Sequence, residues 1–529
     1  FKQKTAYEIL TCDWSSDVCS SDLQGHATTA FLMSAPIETY AAVDAGSNSF
    51  HMVVANVVDE RIQIVDKIKE TVRLAGGLDE NHKLTEEASQ RALECLQRFG
   101  ERIRAIPRAN VRAVGTNTLR QARNGKPFLK KARQALGHSI EVISGREEAR
   151  LIFVGVAHGN FNDTEQRLVV DIGGGSTELA IGRGYRAALT ESLYMGCVNM
   201  SNRFFKNGEI TAKKMRRAIL AALQELETVE IRYKRAGWES AYGSSGSILA
   251  IRDIIKTQGS GESGISWGAL NKLRDDLIEA GNIQNLKLEV LSPARAPVFA
   301  GGVAILCAVF EALNLQSINV SESALREGLL IDLMGRLHDR DVRDQTTAEL
   351  IQRYNIDADH AARVAHTATV CFRQLGKIWS LEQDTDQKML GWAALLHEIG
   401  LAVAHSQHHK HGAYLLHHSE LSGFSREEQS LLSFLVRCHR RKIALEELQN
   451  LAEDIQQQGL RLCIILRLAV VLNRGRNLEE LPEFTLTADD GTIQLRFPGH
   501  WLAEHPLTGA DLATEAEYLA AIKITLDFS

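Results

Sequence analysis

The sequence predicts two related α/β half-domains facing one another, then an all-helical region and a small α+β module, and three observations carry that prediction. A strand–Asp–turn motif occurs twice, as Ala42-Val43-Asp44-Ala45-Gly46-Ser47-Asn48-Ser49-Phe50 and as Val169-Val170-Asp171-Ile172-Gly173-Gly174-Gly175-Ser176-Thr177-Glu178. Strand-like and helix-like segments alternate up to about Leu337, which argues for mixed α/β domains. Beyond that point helical spacing takes over, until an alternating apolar pattern on both sides of Asp489-Asp490-Gly491 marks a hairpin.

Taken in order, Val43 and Phe50 to Val54 read as strands, with another near Ile62 to Val65. From Thr85 to Ile106, Ala88, Ala92, Leu93, Cys95, Leu96 and Phe99 recur at helical spacing. A buried strand, Val111 to Val114, runs into Gly115-Thr116-Asn117-Thr118-Leu119-Arg120, so that Arg120 ends a strand-turn segment. The second half repeats the theme with strands at Leu168 to Val170 and Leu179 to Ile181, and long helices over 211–234. A turn follows at Gly243-Ser244-Ser245-Gly246-Ser247, then a strand from Ile318 to Val320 and a helix beginning near Ser323. The boundaries this gives are 40–152 and 153–337 for the halves, 338–476 for the helical region and 477–529 for the closing module.

At 529 residues the chain exceeds a single core. A net charge of −6 argues against general nucleic-acid binding, although Lys130-Lys131, Lys213 to Arg217 and Arg440-Arg441-Lys442 are local basic clusters. Eight cysteines without CxxC spacing indicate neither a zinc ribbon nor a disulfide framework and fit a reducing cytosol. No uninterrupted apolar run reaches the ~18 residues of a spanning helix; the best candidate, Leu462 to Leu472, is broken by Arg467. The expectation is a soluble, cytoplasmic protein. Residues 1–32 read as a non-native leader: Ser15-Ser16-Asp17 recurs as Ser20-Ser21-Asp22, like translated sequencing adapter, and a start near Met33 is plausible.

The chemistry concentrates in the two turns. Small residues admit an anion close to the backbone, and successive N–H groups there form an anion-binding concavity. The strand-end Asp44 is placed to hold a divalent cation or a water beside the phosphate, and Asp171 and Glu178, bracketing the second turn, suit Mg²⁺. In Ser144-Gly145-Arg146-Glu147-Glu148, Ser144 and Glu147 have capping-box spacing, which leaves Glu148 free to accept a proton from attacking water. The competing reading is that both acids complement the helix dipole. Arg120 is a phosphate partner or a surface ion pair, and Gly243 to Ser247 is a third phosphate-binding turn or a flexible one.

In combination these segments, with Met195-Gly196-Cys197 and Ala324-Leu325-Arg326-Glu327-Gly328, resemble the exopolyphosphatase / guanosine pentaphosphate phosphohydrolase family from about residue 40 to the C-terminus. The resemblance implies actin-like (ribonuclease-H-like) tandem domains around a cleft, followed by an HD-type helical domain and a small terminal one. It implies that Glu148 activates water and that Asp171 and Glu178 are needed for activity through Mg²⁺, with K⁺ as a further candidate ion. It assigns phosphate contacts to Gly46, Ser47, Asn48, Ser49, Arg120, Gly173, Gly174, Gly175, Ser176, Thr177, Gly246 and Ser247. A homodimer with loose association to the inner-membrane face also follows from it.

Two details favour the exopolyphosphatase branch, which hydrolyses the terminal phosphate of inorganic polyphosphate processively and releases orthophosphate. One is the third glycine, Gly175; the other is the basic run Leu435-Val436-Arg437-Cys438-His439-Arg440-Arg441-Lys442. The alternative substrate is guanosine-5'-triphosphate,3'-diphosphate. The helical region departs from the HD template: His397-Glu398 replaces the His-Asp pair, and Val470 stands where the later Asp is expected. The expectation is therefore that the histidines from His397 to His439 are surface or packing residues, or polyphosphate contacts when protonated, rather than a second metal centre.

Overall fold

The computed structural model describes residues 38–58, 61–158, 164–258, 264–285, 291–337, 340–476, 481–489 and 491–529. The adapter-like leader and Asp490 of the hairpin turn lie outside the described residues.

The first sheet contains β1 (Glu38–Ala45), β2 (Ser49–Val58), β3 (Arg61–Thr71), β4 (Val111–Gly115) and β5 (Ile140–Val142) in the order β3-β2-β1-β4-β5. β1 lies between β2 and β4, and its apolar run Tyr40 to Val43 is fully buried. The helix Glu86–Ile103 covers one face through Ala92, Cys95, Leu96 and Phe99; Thr85 caps it by accepting the Ala88 N–H. The second sheet contains β6 (Arg167–Ile172), β7 (Thr177–Arg183), β8 (Arg186–Leu193), β9 (Ser240–Ser244), β10 (Gly264–Ser266) and β11 (Ser317–Val320). Its order, β10-β11-β9-β6-β7-β8, repeats the first sheet strand for strand: β8-β7-β6-β9-β11 corresponds to β3-β2-β1-β4-β5, with β10 added at the edge. The duplicated motif is thus a duplicated fold. In each half the Asp-bearing strand sits inside the sheet and ends at the shared cleft.

Two helices close the interface between the halves, Gly145–His158 and Leu325–Leu337. They cross backbone against backbone, because a Cβ on Gly155 or on Gly328 would collide with the carbonyl of Ala324 or Leu151. Arg120 stands in a short helix, Asn117–Gln121, rather than in the expected strand-turn. The expected turn Gly243 to Ser247 is the end of β9 running directly into the helix Ser245–Thr257. The most apolar long helix is Ala296–Leu313, with a mean hydropathy of 2.0, rather than the segment Leu462 to Leu472. Among the described residues it alone is long and apolar enough to cross a membrane, yet 78% of it is buried, in the core of the second half.

From Val342 the chain is helical to Leu472. The helix Gln456–Leu472 tolerates its buried Arg467 because Glu515 accepts two of its N–H bonds (2.6 and 2.9 Å) and the carbonyl of Arg441 a third. β12 (Thr485–Asp489), β13 (Thr492–Arg496) and β14 (Thr525–Phe528) form the closing sheet. Its inward residues Leu486, Ile493 and Leu495, with Phe484 and Phe497 flanking the strands, pack into the same core as Leu390, Leu416 and Leu435 of the helices.

Candidate active site

Strand register builds the site. In the first half Asp44 of β1 pairs with His51 of β2, which pairs with Lys69 of β3, so the three stand in one row across the sheet. In the second half Ser244, Asp171, Glu178 and Ser192 form the matching row across β9, β6, β7 and β8. Side chains opposite one another in a sheet share a face, so each row presents its polar groups together. Ser244 Oγ donates to Asp171 Oδ2 at 2.6 Å and Ser192 Oγ to Glu178 Oε1 at 2.8 Å.

The two turns oppose one another across the cleft. A Cβ on Gly174 would lie 3.4 Å from Ser47 Cβ and 3.6 Å from Asn48 Cβ. Gly46 and Gly173 are held inside their own turns, where an added Cβ would meet the carbonyls of Ser49 (2.8 Å) and Ser176 (3.0 Å). Ser47, Ser176 and Thr177 are buried, and Thr177 donates to the carbonyl of Met195. Ser247 is also buried, on the first turn of its helix, and Arg295 lies across Gly246, where it would collide with any Cβ.

Glu148 is buried in the first turn of the helix Gly145–His158, and its Oε2 accepts Arg120 Nη1 at 2.7 Å. Arg120 also donates to the carbonyl of Ile143, which aims the guanidinium. The expected capping box is half made. Ser144 Oγ accepts the Glu147 N–H, but the Glu147 carboxylate goes to Arg150 (2.8 Å, both oxygens) and to the N–H of Gly423 in the helical region (2.9 Å).

Crowding of acids sets the electrostatics. Burial, reinforced by Glu148 and Asp171 and opposed by Arg326, pushes the Asp44 carboxyl up to about 8, and its Oδ1 is buried with no hydrogen-bond partner. Burial pushes Asp171 up to about 6, against the Ser244 hydrogen bond and with Glu148 adding to the rise. Glu178 is driven well above the carboxylate range by burial, then by Glu148 and Asp171. Four carboxylates that repel one another, one with an orphaned oxygen, fit a divalent cation such as Mg²⁺. Asp44, Asp171 and Glu178 are the residues that would hold it.

A cationic set faces these acids, and sequence reasoning missed most of it. Burial, then Arg326 and Lys69, push His51 down to about 2, and burial also lowers Lys69 and Arg295, with Arg295 and Arg326 adding to the effect on Lys69. Arg295, Arg326 and Lys69 thus converge where an anion would offset them, joined by Arg120. Arg326 lies in the motif Ala324-Leu325-Arg326-Glu327-Gly328, which carries the signal for it; Arg295 and Lys69 have only tertiary reasons to be there. Arg426 and Glu420 of the helical region border Arg120, and the exposed Tyr194 lies beside Arg426.

The histidine cluster divides between the surface and packing positions expected of it. His405, His417 and His418 are exposed, but His397, His408, His409 and His439 are buried. Burial pushes His397 and His409 down to about 4, so they are neutral at physiological pH and unsuited to gripping polyphosphate as cations. The two branch details also have structural reasons of their own. A Cβ on Gly175 would strike Asn117 Nδ2, and in Leu435 to Lys442 the residues Leu435, Val436, Cys438 and His439 are buried while Arg440 and Arg441 line a cavity of the helical region.

Residues 53–337 match the model of the Ppx/GppA phosphatase family, and residues 342–516 match domain III of Ppx/GppA phosphatase. A relative from Aeromonas hydrophila, named guanosine-5'-triphosphate,3'-diphosphate pyrophosphatase, is 42% identical over 90% of this chain and 96% of its own length. One of the same name from Vibrio cholerae is 41% identical over 90% and 95%. The crystal structure of an exopolyphosphatase from Cytophaga hutchinsonii is similar with a TM-score of 0.52 and 25% identity, over 56% of this chain and 98% of that one. The relatives' names favour the alternative substrate over the polyphosphate expected from Gly175 and the basic run.

Proposed function

This chain belongs to the Ppx/GppA phosphatase family, and we propose that it hydrolyses guanosine-5'-triphosphate,3'-diphosphate at its terminal 5'-phosphate, releasing orthophosphate. The observation that carries the reading is the pair of turns opposed at Gly174 and Ser47, with Glu148 electrostatically coupled to Asp44, Asp171 and Glu178. The terminal phosphoryl group sits between Gly46 to Ser49 and Gly173 to Thr177, where backbone N–H groups and hydroxyls receive its oxygens. Arg120, Arg295 and Arg326 balance its charge. Glu148 accepts the proton of the attacking water; Arg120, which pairs with it here, turns toward the phosphate when substrate enters. Mg²⁺ on Asp44, Asp171 and Glu178 supplies charge neutralisation at the phosphate when bound. Positioning and electrostatics do most of the work, as in other phosphoryl transfers.

Tyr194, 76% exposed beside Arg426, offers an aromatic face to a base at the rim. Side-by-side kinetics test the reading: kcat/KM for the nucleotide should exceed that for long-chain polyphosphate, and Tyr194→Ala should raise KM for the nucleotide alone. The reverse preference would establish polyphosphate, the second reading, which the similarity to an exopolyphosphatase structure supports. The helical region we read as a degenerate HD-like domain.

A further inference from the structure

The helical region brings together residues the phosphatase site does not use. His360 lies on the helix Ala358–Leu375, and His397 and Glu398 follow the helix Thr385–Leu396. One ligand atom from each of the three lies within 4.8 Å of the other two. The rings of His439 and His408 continue the cluster, with centroids 5.3 Å (His397–His439) and 5.6 Å (His408–His439) apart. His397 Nδ1 donates to the carbonyl of Ala394 at 2.7 Å, and His439 Nδ1 to that of Val436 at 2.6 Å. Such bonds fix the tautomer and leave each Nε2 with a free lone pair, as in metal-ligating histidines. His360 is 3% exposed and its Nδ1 has no hydrogen-bond partner, an arrangement that is costly without a ligand. Glu398 gives one oxygen, Oε1, to Arg476 at 2.6 Å, an outer contact that orients the carboxylate and leaves its second oxygen for a cation.

We propose that His360, His397 and Glu398 form a second metal site, for one divalent first-row transition ion of the zinc class. Two imidazoles and one carboxylate are the donor set of a three-ligand centre that keeps coordination positions open. Nitrogen donors select such an ion over Mg²⁺ or Ca²⁺, so this site and the all-oxygen cleft sort different metals. A tetrahedral ion with bonds of ~2.1 Å sets its ligand atoms ~3.4 Å apart, within a small side-chain adjustment of the arrangement present. Val470, also on the cavity wall, leaves the position of a further acid vacant, so water or an anion completes the shell. The cavity, about 270 Å³, is lined also by Arg440 and Arg441, while Arg474 and Arg476 on its wall pair with Asp511 and Glu398.

The test uses the full chain, stripped with chelator and titrated with Co²⁺, a spectroscopic stand-in for zinc. Intense visible d–d bands of nitrogen-ligated Co²⁺ should grow to one equivalent per chain, and added Zn²⁺ should bleach them. His360→Gln and Glu398→Gln should each weaken binding by at least ~10-fold, and Val470→Asp should tighten it by adding a carboxylate. Phosphatase activity is not the readout, so the outcome is independent of which substrate the cleft takes. Absence of those bands in the wild type, or bands unchanged in both weakening variants, would overturn the proposal. Should the weakening variants misfold, Val470→Asp still decides: no gain in affinity counts against the site.

Discussion

In the proposed mechanism Glu148 is the residue on which hydrolysis turns. Its carboxylate already holds Arg120 at 2.7 Å, so Glu148→Gln keeps the shape of the site and removes the base. We expect kcat to fall by about 10²–10⁴-fold with KM little changed; steady-state kinetics check it, and unchanged phosphate release would move the role elsewhere. The cleft acids make a second prediction. Asp44 is held at about 8 and Asp171 at about 6, both above the ordinary 3.8, so the metal-free fold retains protons that the unfolded chain has released. Stability therefore falls as pH rises from about 4 to about 8. Mg²⁺ held by these carboxylates would replace those protons and should offset the loss at the alkaline end. Urea melts at several pH values, with and without Mg²⁺, measure this; a flat metal-free profile would contradict it.

Elements carry the site through a buried ionic knot. Asp332, on the helix Leu325–Leu337, meets Arg112 of β4 at 2.5 Å and Arg336 at 3.0 Å, and it also pairs with Arg150. Burial alone would raise its carboxyl, but the guanidiniums of Arg150, Arg112 and Arg336 hold it well below the carboxylate range. Removing one charge from such a cluster strands the others, so Asp332→Asn should cost about 3–5 kcal/mol, seen as a lower urea midpoint. Arg150 is also the partner of Glu147, whose neighbour is Glu148, so the same change should lower kcat. A loss of stability without loss of activity would separate the knot from the site.

At the scale of the molecule, the helical region is bound into the catalytic half. The Gly423 N–H reaches Glu147, Arg336 donates to the Gly423 carbonyl at 2.7 Å, and Glu428 pairs with Arg343 and Arg336. Removal of everything after residue 337 would strip partners from Glu147 and Arg336. We expect the truncated chain to lose thermal stability and most of its phosphate release on every substrate. Full activity on a short substrate would show that the helical region serves only to hold longer or larger ones.

By itself the sequence determined the duplicated half and located the two glycine-hydroxyl turns, Glu148 and the Asp171/Glu178 pair that the fold brings to the cleft, because each lies in a short contiguous segment whose local geometry is fixed by its own glycines, hydroxyls and strand alternation. It also placed the helical region and the hairpin, whose periodicities are local. Tertiary structure alone brought Lys69 and Arg295 to the acids beside Arg326, since the three come from distant segments and meet only when the two sheets close. It likewise decided which histidines pack inside and which stay at the surface, and set Ala296–Leu313 in a protein core. Burial and long-range charge depend on what packs against a residue, and no single stretch of chain holds that information.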